Sequence, residues 1–227
     1  MHRIVLALCL ATTVLAAPRL ADACGNTVRR IVDSTNESVR KAEFLLAQGN
    51  YKQAISTIRD EFGDRALAVH DGPGAQLHQR AQRVLAIAVV RSKGAVSIGP
   101  GLGGKTDAQR QAAIAWSVLT LRLRRAALDD RNVDCILDPT RCTNGEGDPH
   151  TNADLAEALA LQPTGRAEAY RLLKDLGDRD LMPFAEGWAL LAELGRERGD
   201  LEGAKKAVER CKQIASDNLK CDPSENS

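Results

Sequence analysis

The stretch from Ala185 to Ser216, A-E-G-W-A-L-L-A-E-L-G-R-E-R-G-D-L-E-G-A-K-K-A-V-E-R-C-K-Q-I-A-S, constrains the fold more than any other part of the chain. Trp188, Leu191, Ala192 and Gly195 recur at three- and four-residue intervals, which puts them on one face of an α-helix. Gly199-Asp200 breaks that period. Glycine readily takes the left-handed conformation that ends a helix, and aspartate caps the next one. Leu201, Ala204, Val208 and Cys211 then line one face of a second helix. So short a break makes the two helices antiparallel neighbours. Small side chains at Ala192 and Ala204 let them approach closely.

The same pattern stands near the other end, in A-E-F-L-L-A-Q-G-N-Y-K-Q-A-I-S-T-I. A stripe of Val28, Ile31, Val32, Val39, Ala42, Leu45 and Leu46 stops at Gly49-Asn50, and Tyr51, Ala54, Ile55 and Ile58 open the next helix. Both stretches resemble the tetratricopeptide repeat, W-x2-L-G-x2-Y, a glycine turn, then A-x3-F. Trp188-x2-Leu191, Gly199 and Ala204-x3-Val208 carry the likeness in one; Gly49, Tyr51 and Ala54-x3-Ile58 carry it in the other. Ala192 replaces the usual glycine, Gly195 the tyrosine and Ser216 the closing proline. The resemblance implies antiparallel helical hairpins stacked as a short α-solenoid, with a concave face that takes a peptide or a helix of another protein. Gly165 and Gly199 lie about 34 residues apart, the repeat length of that family.

Between these units the apolar spacing predicts further helices. Pro73 can begin one carrying Leu77, Ala81, Val84, Leu85, Ala88 and Val89. A long one runs from about Thr106 to Leu128 with Ile114, Trp116, Val118, Leu119, Leu121 and Leu123. From Asn152, Leu155, Ala158, Leu159 and Leu161 give a short helix; after the turn Pro163-Thr164-Gly165, Ala169, Leu172, Leu173 and Leu176 give its partner. Aromatic residues make up only 3% of the chain, and Ala, Leu, Arg and Glu abound, a mixture poor in strand formers. The expectation is an all-α chain of about eight helices, two repeat units well formed and two degenerate. A Gly-rich loop at 94–105 and a Cys-containing loop at 129–150 interrupt it, and 217–227 forms a C-terminal tail.

The N-terminus reads as a signal peptide over 1–23. His2 and Arg3 precede an apolar run from Ile4 to Ala17, and Ala21-Asp22-Ala23 offers a small-residue cleavage site. The helical domain then spans 24–216, and the protein is exported, to the periplasm, the outer envelope or beyond. In an oxidising compartment close cysteine pairs read as disulfides, Cys135 with Cys142 and Cys211 with Cys221. Cys24 is left over, and its lipidation at the mature N-terminus would explain the odd count, although Ala21 stands where a lipoprotein carries leucine. No C-x2-C accompanies the cysteines to suggest zinc, and Asp134, Asp138, Glu146 and Asp148 have no EF-hand spacing, so no metal is expected.

Gly99-Pro100-Gly101-Leu102-Gly103-Gly104-Lys105-Thr106 satisfies G-x4-G-K-[ST]. Such a loop would hold phosphates on backbone N–H groups with Gly99, Gly104, Lys105 and Thr106 in the key positions. It needs a parallel sheet behind it, and Ala95 to Ile98 is the only strand candidate. The other reading is a connection in which Thr106 caps the following helix, helped by Asp107. Arg122, Arg124 and Arg125 lack the interleaved aromatics of a nucleic-acid site and read as a solvated face. His70, His78 and His150 are linked to no nucleophile, so no catalytic set emerges. Lys and Arg total 31 against 30 Asp and Glu, a balance that disfavours nucleic acid as a partner.

The function expected is therefore an exported scaffold for a protein or peptide partner in the envelope, without cofactor and without catalysis. Membrane contact would come only through a lipid on Cys24. The alternatives are a nucleotide-binding protein using Gly99–Thr106 and a structural lipoprotein anchored at Cys24.

Overall fold

The computed structural model describes residues 34–69, 74–129, 148–215 and 221, and among them it is all-helical. Eight α-helices follow one another: α1 (34–47), α2 (Tyr51–Phe62), α3 (Ala75–Arg91), α4 (Asp107–Asp129), α5 (Pro149–Ala160), α6 (Arg166–Asp178), α7 (Ala185–Glu197) and α8 (Leu201–Ile214). A 3-10 segment, Gly63–Leu67, extends α2. The described residues hold no strand, only an isolated bridge between Gly99 and Leu102. From α2 onward each helix packs on the next, and α5 also touches α3 and α7.

Four helices end in the same way. Gly49 and Gly199 adopt positive φ, and the amides of Asn50 and Asp200 reach back to the carbonyls of Leu45 and Gly195, both at 2.9 Å. Helices α3 and α6 use the identical closure with Lys93 and Asp180 in the left-handed position, and Gly94 and Leu181 donating to Val89 and Leu176. A side chain there costs ~1 kcal/mol, which is why glycine marks only half of these ends in the sequence. Gly165 does a different job from Gly199. Its φ is −88°, it precedes α6, and a Cβ there would lie 2.4 Å from the Leu159 carbonyl oxygen. The 34-residue interval therefore joins two glycines in inter-helix turns that are not structurally equivalent.

Side-chain caps start α4 and α5. Thr106 Oγ1 accepts from the Gln109 amide (3.3 Å) and Gln109 Oε1 accepts from the Thr106 amide (3.4 Å), a reciprocal box that starts α4. Asp148 accepts from the amide and hydroxyl of Thr151 at 2.9 and 2.8 Å, with Pro149 in the first turn. Helix α5 thus begins three residues before the Asn152 expected from its apolar spacing.

Most of the repeat-like residues lie in the core. Ala54 and Ile58 are wholly buried in the first hairpin, beside half-buried Tyr51. In the last hairpin Ala192, Ala204 and Trp188 are buried, and a Cβ on Gly195 would lie 3.3 Å from that of Ala204. Leu201, expected on the buried face of α8, is 66% exposed, because it opens the helix beyond the end of α7. Leu119 and Leu123 of α4 are also exposed, at 58% and 50%.

Candidate functional site

A shallow, solvent-open cleft lies where α6, α7 and α8 meet. Its floor is the apolar seam: Trp188 and Leu191 from α7, Gly177 from α6, and Ala207 from α8. A Cβ on Gly177 would stand 3.1 Å from both Trp188 and Leu191, so this glycine lets α6 close down on α7. The Arg210 guanidinium lies 5.8 Å from the Trp188 ring centre and pairs with Asp180. Trp188 is thereby enclosed by α6, its own helix and α8.

The rim carries charge of both signs. Lys174 donates to both carboxylate oxygens of Asp178 at 3.1 and 3.0 Å. Asp200 caps α8 by accepting from the Gly203 amide (3.0 Å), and its other oxygen accepts from the Tyr170 hydroxyl (2.6 Å). That hydroxyl, followed by the Gly203 amide, holds the Asp200 carboxyl below the usual carboxylate range. The same bond raises the Tyr170 hydroxyl. Asp200 is therefore a cap and a strut between α6 and α8, and both its oxygens are engaged. Lys206 completes the rim. Apolar floor and mixed-charge edge suit binding a side chain; they offer no activated nucleophile and no base poised beside one.

A second constellation lies in the α3–α5 seam. All ten residues from Thr151 to Ala160 are buried, polar ones included. Arg83 donates to wholly buried Asp154 at 2.5 and 3.1 Å, and Arg91 donates to Glu157 through two 3.2 Å bonds. Arg91 also stands 3.6 Å from Glu186 and 5.4 Å from the Phe184 ring centre, so it joins α3, α5 and the start of α7. Burial raises the Glu157 carboxyl to about 7; Arg91 opposes the shift, and Asp154 and Glu186 add to it. Every acceptor in this network faces an arginine, which makes it a tie between hairpins.

The sequence-derived candidates separate into groups. Gly49, Tyr51, Ala54 and Ile58 belong to the α1–α2 hairpin, whereas Trp188, Leu191, Ala192, Gly199, Ala204 and Val208 belong to α7–α8. Of these only Trp188 and Leu191 reach the cleft. Tyr170, Lys174 and Lys206 were not singled out by sequence, since each looks like an ordinary residue on the polar side of its helix.

The Gly-rich loop forms a compact connection. Gly99 to Leu102 is a tight turn, with the Leu102 amide donating to the Gly99 carbonyl at 3.1 Å and Gly101 at positive φ. The amides of Gly103 and Gly104 donate to the carbonyls of Gln109 (2.8 Å) and Gly94 (2.9 Å). These are N–H groups that a phosphate would require, and they are already used within the chain. A Cβ on Gly103 would lie 2.0 Å from the Val96 carbonyl oxygen. Gly99 and Gly103 serve close packing, Gly101 serves the turn, and Thr106 caps α4.

The arginine cluster is not a uniform solvated face. Arg122 is exposed and donates to Glu168 at 2.6 Å, but Arg124 is half-buried and donates to the Thr151 hydroxyl at 3.4 Å, while Arg125 is half-buried too. The α4 face that reaches α5 accounts for the difference. His78 is a core residue, 5% exposed, with Nε2 2.8 Å from the Ala68 carbonyl oxygen and its ring 5.7 Å from that of Phe62. His150 is exposed beside Phe184, and His70 lies outside the described residues. Cys211 and Cys221 form a disulfide with Cα atoms 5.6 Å apart. Cys24, the leader at 1–23, and Cys135 with Cys142 lie outside the described residues. No described helix is long and apolar enough to cross a membrane.

Compared with protein-family models, curated proteins and solved structures, the chain matches none.

Proposed function

We propose that this chain is an exported helical-repeat scaffold that binds a peptide segment of another protein in the cell envelope or periplasm. The observation that carries the proposal is the α6–α8 cleft, an apolar trough over Trp188 edged by Lys174, Asp178, Asp200 and Lys206. Its apolar floor and charged rim suit a partner with charges flanking an apolar residue. The resemblance of the first and last hairpins to tetratricopeptide units supports the scaffold reading, as does contact of α5 with α3 and α7, which extends packing beyond each hairpin. The Cys211–Cys221 bond supports an oxidising compartment.

The test is capture of partners from a detergent-solubilised envelope extract by wild type and by Lys174→Glu/Lys206→Glu. Both lysines are exposed, so the double variant should melt with the wild type. Wild type should retain a defined partner that the variant loses. If both retain the same proteins, or neither retains any, the cleft is not the binding site.

A further inference from the structure

Arg91 serves two carboxylates that come from different helices. Glu157 of α5 accepts from its Nε and Nη2, each at 3.2 Å, and Glu186 in the first turn of α7 stands 3.6 Å from its Nη1. Arg83 is committed elsewhere, since Asp154 engages it with both oxygens. Glu157 thus feels Arg91 from α3, Asp154 one turn back on α5 and Glu186 on α7, one cation and two carboxylates. The other helices packed on α5 bring their charges to its ends. Arg124 of α4 reaches Thr151, and Arg166 of α6 reaches the Ala160 carbonyl while holding Glu193 and Glu197. His150 stands at the start of α5, beside Phe184.

The two carboxylates on Arg91 differ in their access to water. Glu157 is buried in the α3–α5 seam, whereas the Glu186 side chain is 43% exposed. With a proton on Glu157, the charge of Arg91 is left to Glu186, which draws the first turn of α7 onto α3. With Glu157 ionised, both its oxygens hold the guanidinium at the shorter range, and two like charges meet across one cation. Glu186 is the one that can leave for water. Phe184, whose ring centre lies 5.4 Å from the Arg91 guanidinium, immediately precedes that turn and moves with it.

We propose that Glu157, Arg91 and Glu186 form a pH-operated clamp. Protonation of Glu157 leaves Arg91 to Glu186 and fastens the first turn of α7 to α3; loss of the proton releases that turn. Burial raises the Glu157 carboxyl to about 7, which puts the change near neutral pH. The closed clamp binds the proton more tightly than the open one, so acid closes it and alkali opens it. Trp188 and Leu191 follow on the same helix and form the floor of the α6–α8 cleft, so the clamp sets how firmly that floor is anchored. The clamp operates whether or not the cleft binds a partner, and its test uses none.

The experiment is an NMR titration of the full chain from about pH 5 to 9, following the Glu157 carboxyl carbon and the backbone amides of Phe184 to Trp188. In wild type both should change with one shared midpoint near pH 7. Glu157→Gln, which keeps the shape of the protonated carboxyl, should flatten the amide titration. His150→Gln removes the neighbouring group that titrates in the same range, and should leave the midpoint in place. Glu186→Gln removes the second carboxylate, so Glu157 should ionise at lower pH. Hydrogen exchange at Trp188 to Leu190, corrected for the intrinsic effect of pH, should quicken on the alkaline side in wild type and not in Glu157→Gln. Amides that do not follow the Glu157 carboxyl overturn the proposal. So does a response that survives Glu157→Gln or vanishes in His150→Gln, exchange that does not quicken in wild type, or a Glu157 midpoint that Glu186→Gln does not lower. If Glu157→Gln fails to fold, Glu186→Gln, altered at a solvent-accessible group, decides through the midpoint.

Discussion

The α7–α8 hairpin and the α3–α5 seam each join two helices, by opposite means. In the hairpin the contact is apolar and local. Gly195 faces Ala204 one turn from the connection, Trp188 fills the far end, and the chain between the helices is three residues long. In the seam the helices run in the same direction and are tied by buried charges, Arg83 to Asp154 and Arg91 to Glu157, separated by 71 and 66 residues in the chain. Loss of a contact in the hairpin leaves a cavity, whereas loss of one partner in the seam leaves an uncompensated charge in a dry place. The two kinds of join should therefore respond differently to the same experiments.

The largest effect should come from the hairpin. Trp188→Ala removes a side chain only 4% exposed and should cost ~3–5 kcal/mol in a urea titration. A loss under ~1 kcal/mol would mean that the ring does not anchor α6 to α8.

Arg83→Met should cost about 3 kcal/mol, because Asp154 is wholly buried and would lose its counter-charge. Adding Asp154→Leu should restore most of that loss, since a buried pair can be replaced by apolar groups at little net cost. No such rescue is expected for a cavity at Trp188. If the double variant is no better than the single, the seam is not held by compensation of charge.

Acid should separate the regions further. The folded Glu157 carboxyl is raised from 4.5 to about 7, so the folded chain holds this proton more tightly than the unfolded chain. Its stabilising contribution is complete below about pH 4.5 and is lost as pH rises through 7. The change should be on the order of 2–3 kcal/mol, read from urea midpoints at pH 5 and 8. Glu157→Gln should abolish that part of the pH dependence, and Trp188→Ala should leave it intact. A profile identical in wild type and Glu157→Gln would remove the buried carboxyl from the account.

The smallest effects test register within the hairpin. Ala204→Leu should cost ~1–3 kcal/mol by overpacking the seam against Gly195. Lys205→Ala, one position on and exposed, should stay within ~0.5 kcal/mol. Equal losses would place the buried face of α8 elsewhere.

The residues of the hairpin were legible because a one-sided helix writes its burial as a period. Ala204, Val208 and Cys211 repeat every three or four positions, and Gly199-Asp200 supplies the chemistry of a stop and a start. The all-helical character of the described chain, the Thr106 cap and the Cys211–Cys221 pairing follow from equally local signals. Helix α5 was legible as a helix from Leu155, Ala158 and Leu159, but its burial on every side was not. Its Asp154 and Glu157 look like surface residues until arginines about 70 positions away are brought against them. The same limit hid the left-handed Lys93 and Asp180, the core position of His78 and the cleft edged by Tyr170, Lys174 and Lys206. Sequence alone determined where helices form and turn, because that depends on neighbours within a few residues. Only the tertiary structure decided which charges are buried, because burial depends on what the rest of the chain places around each side chain.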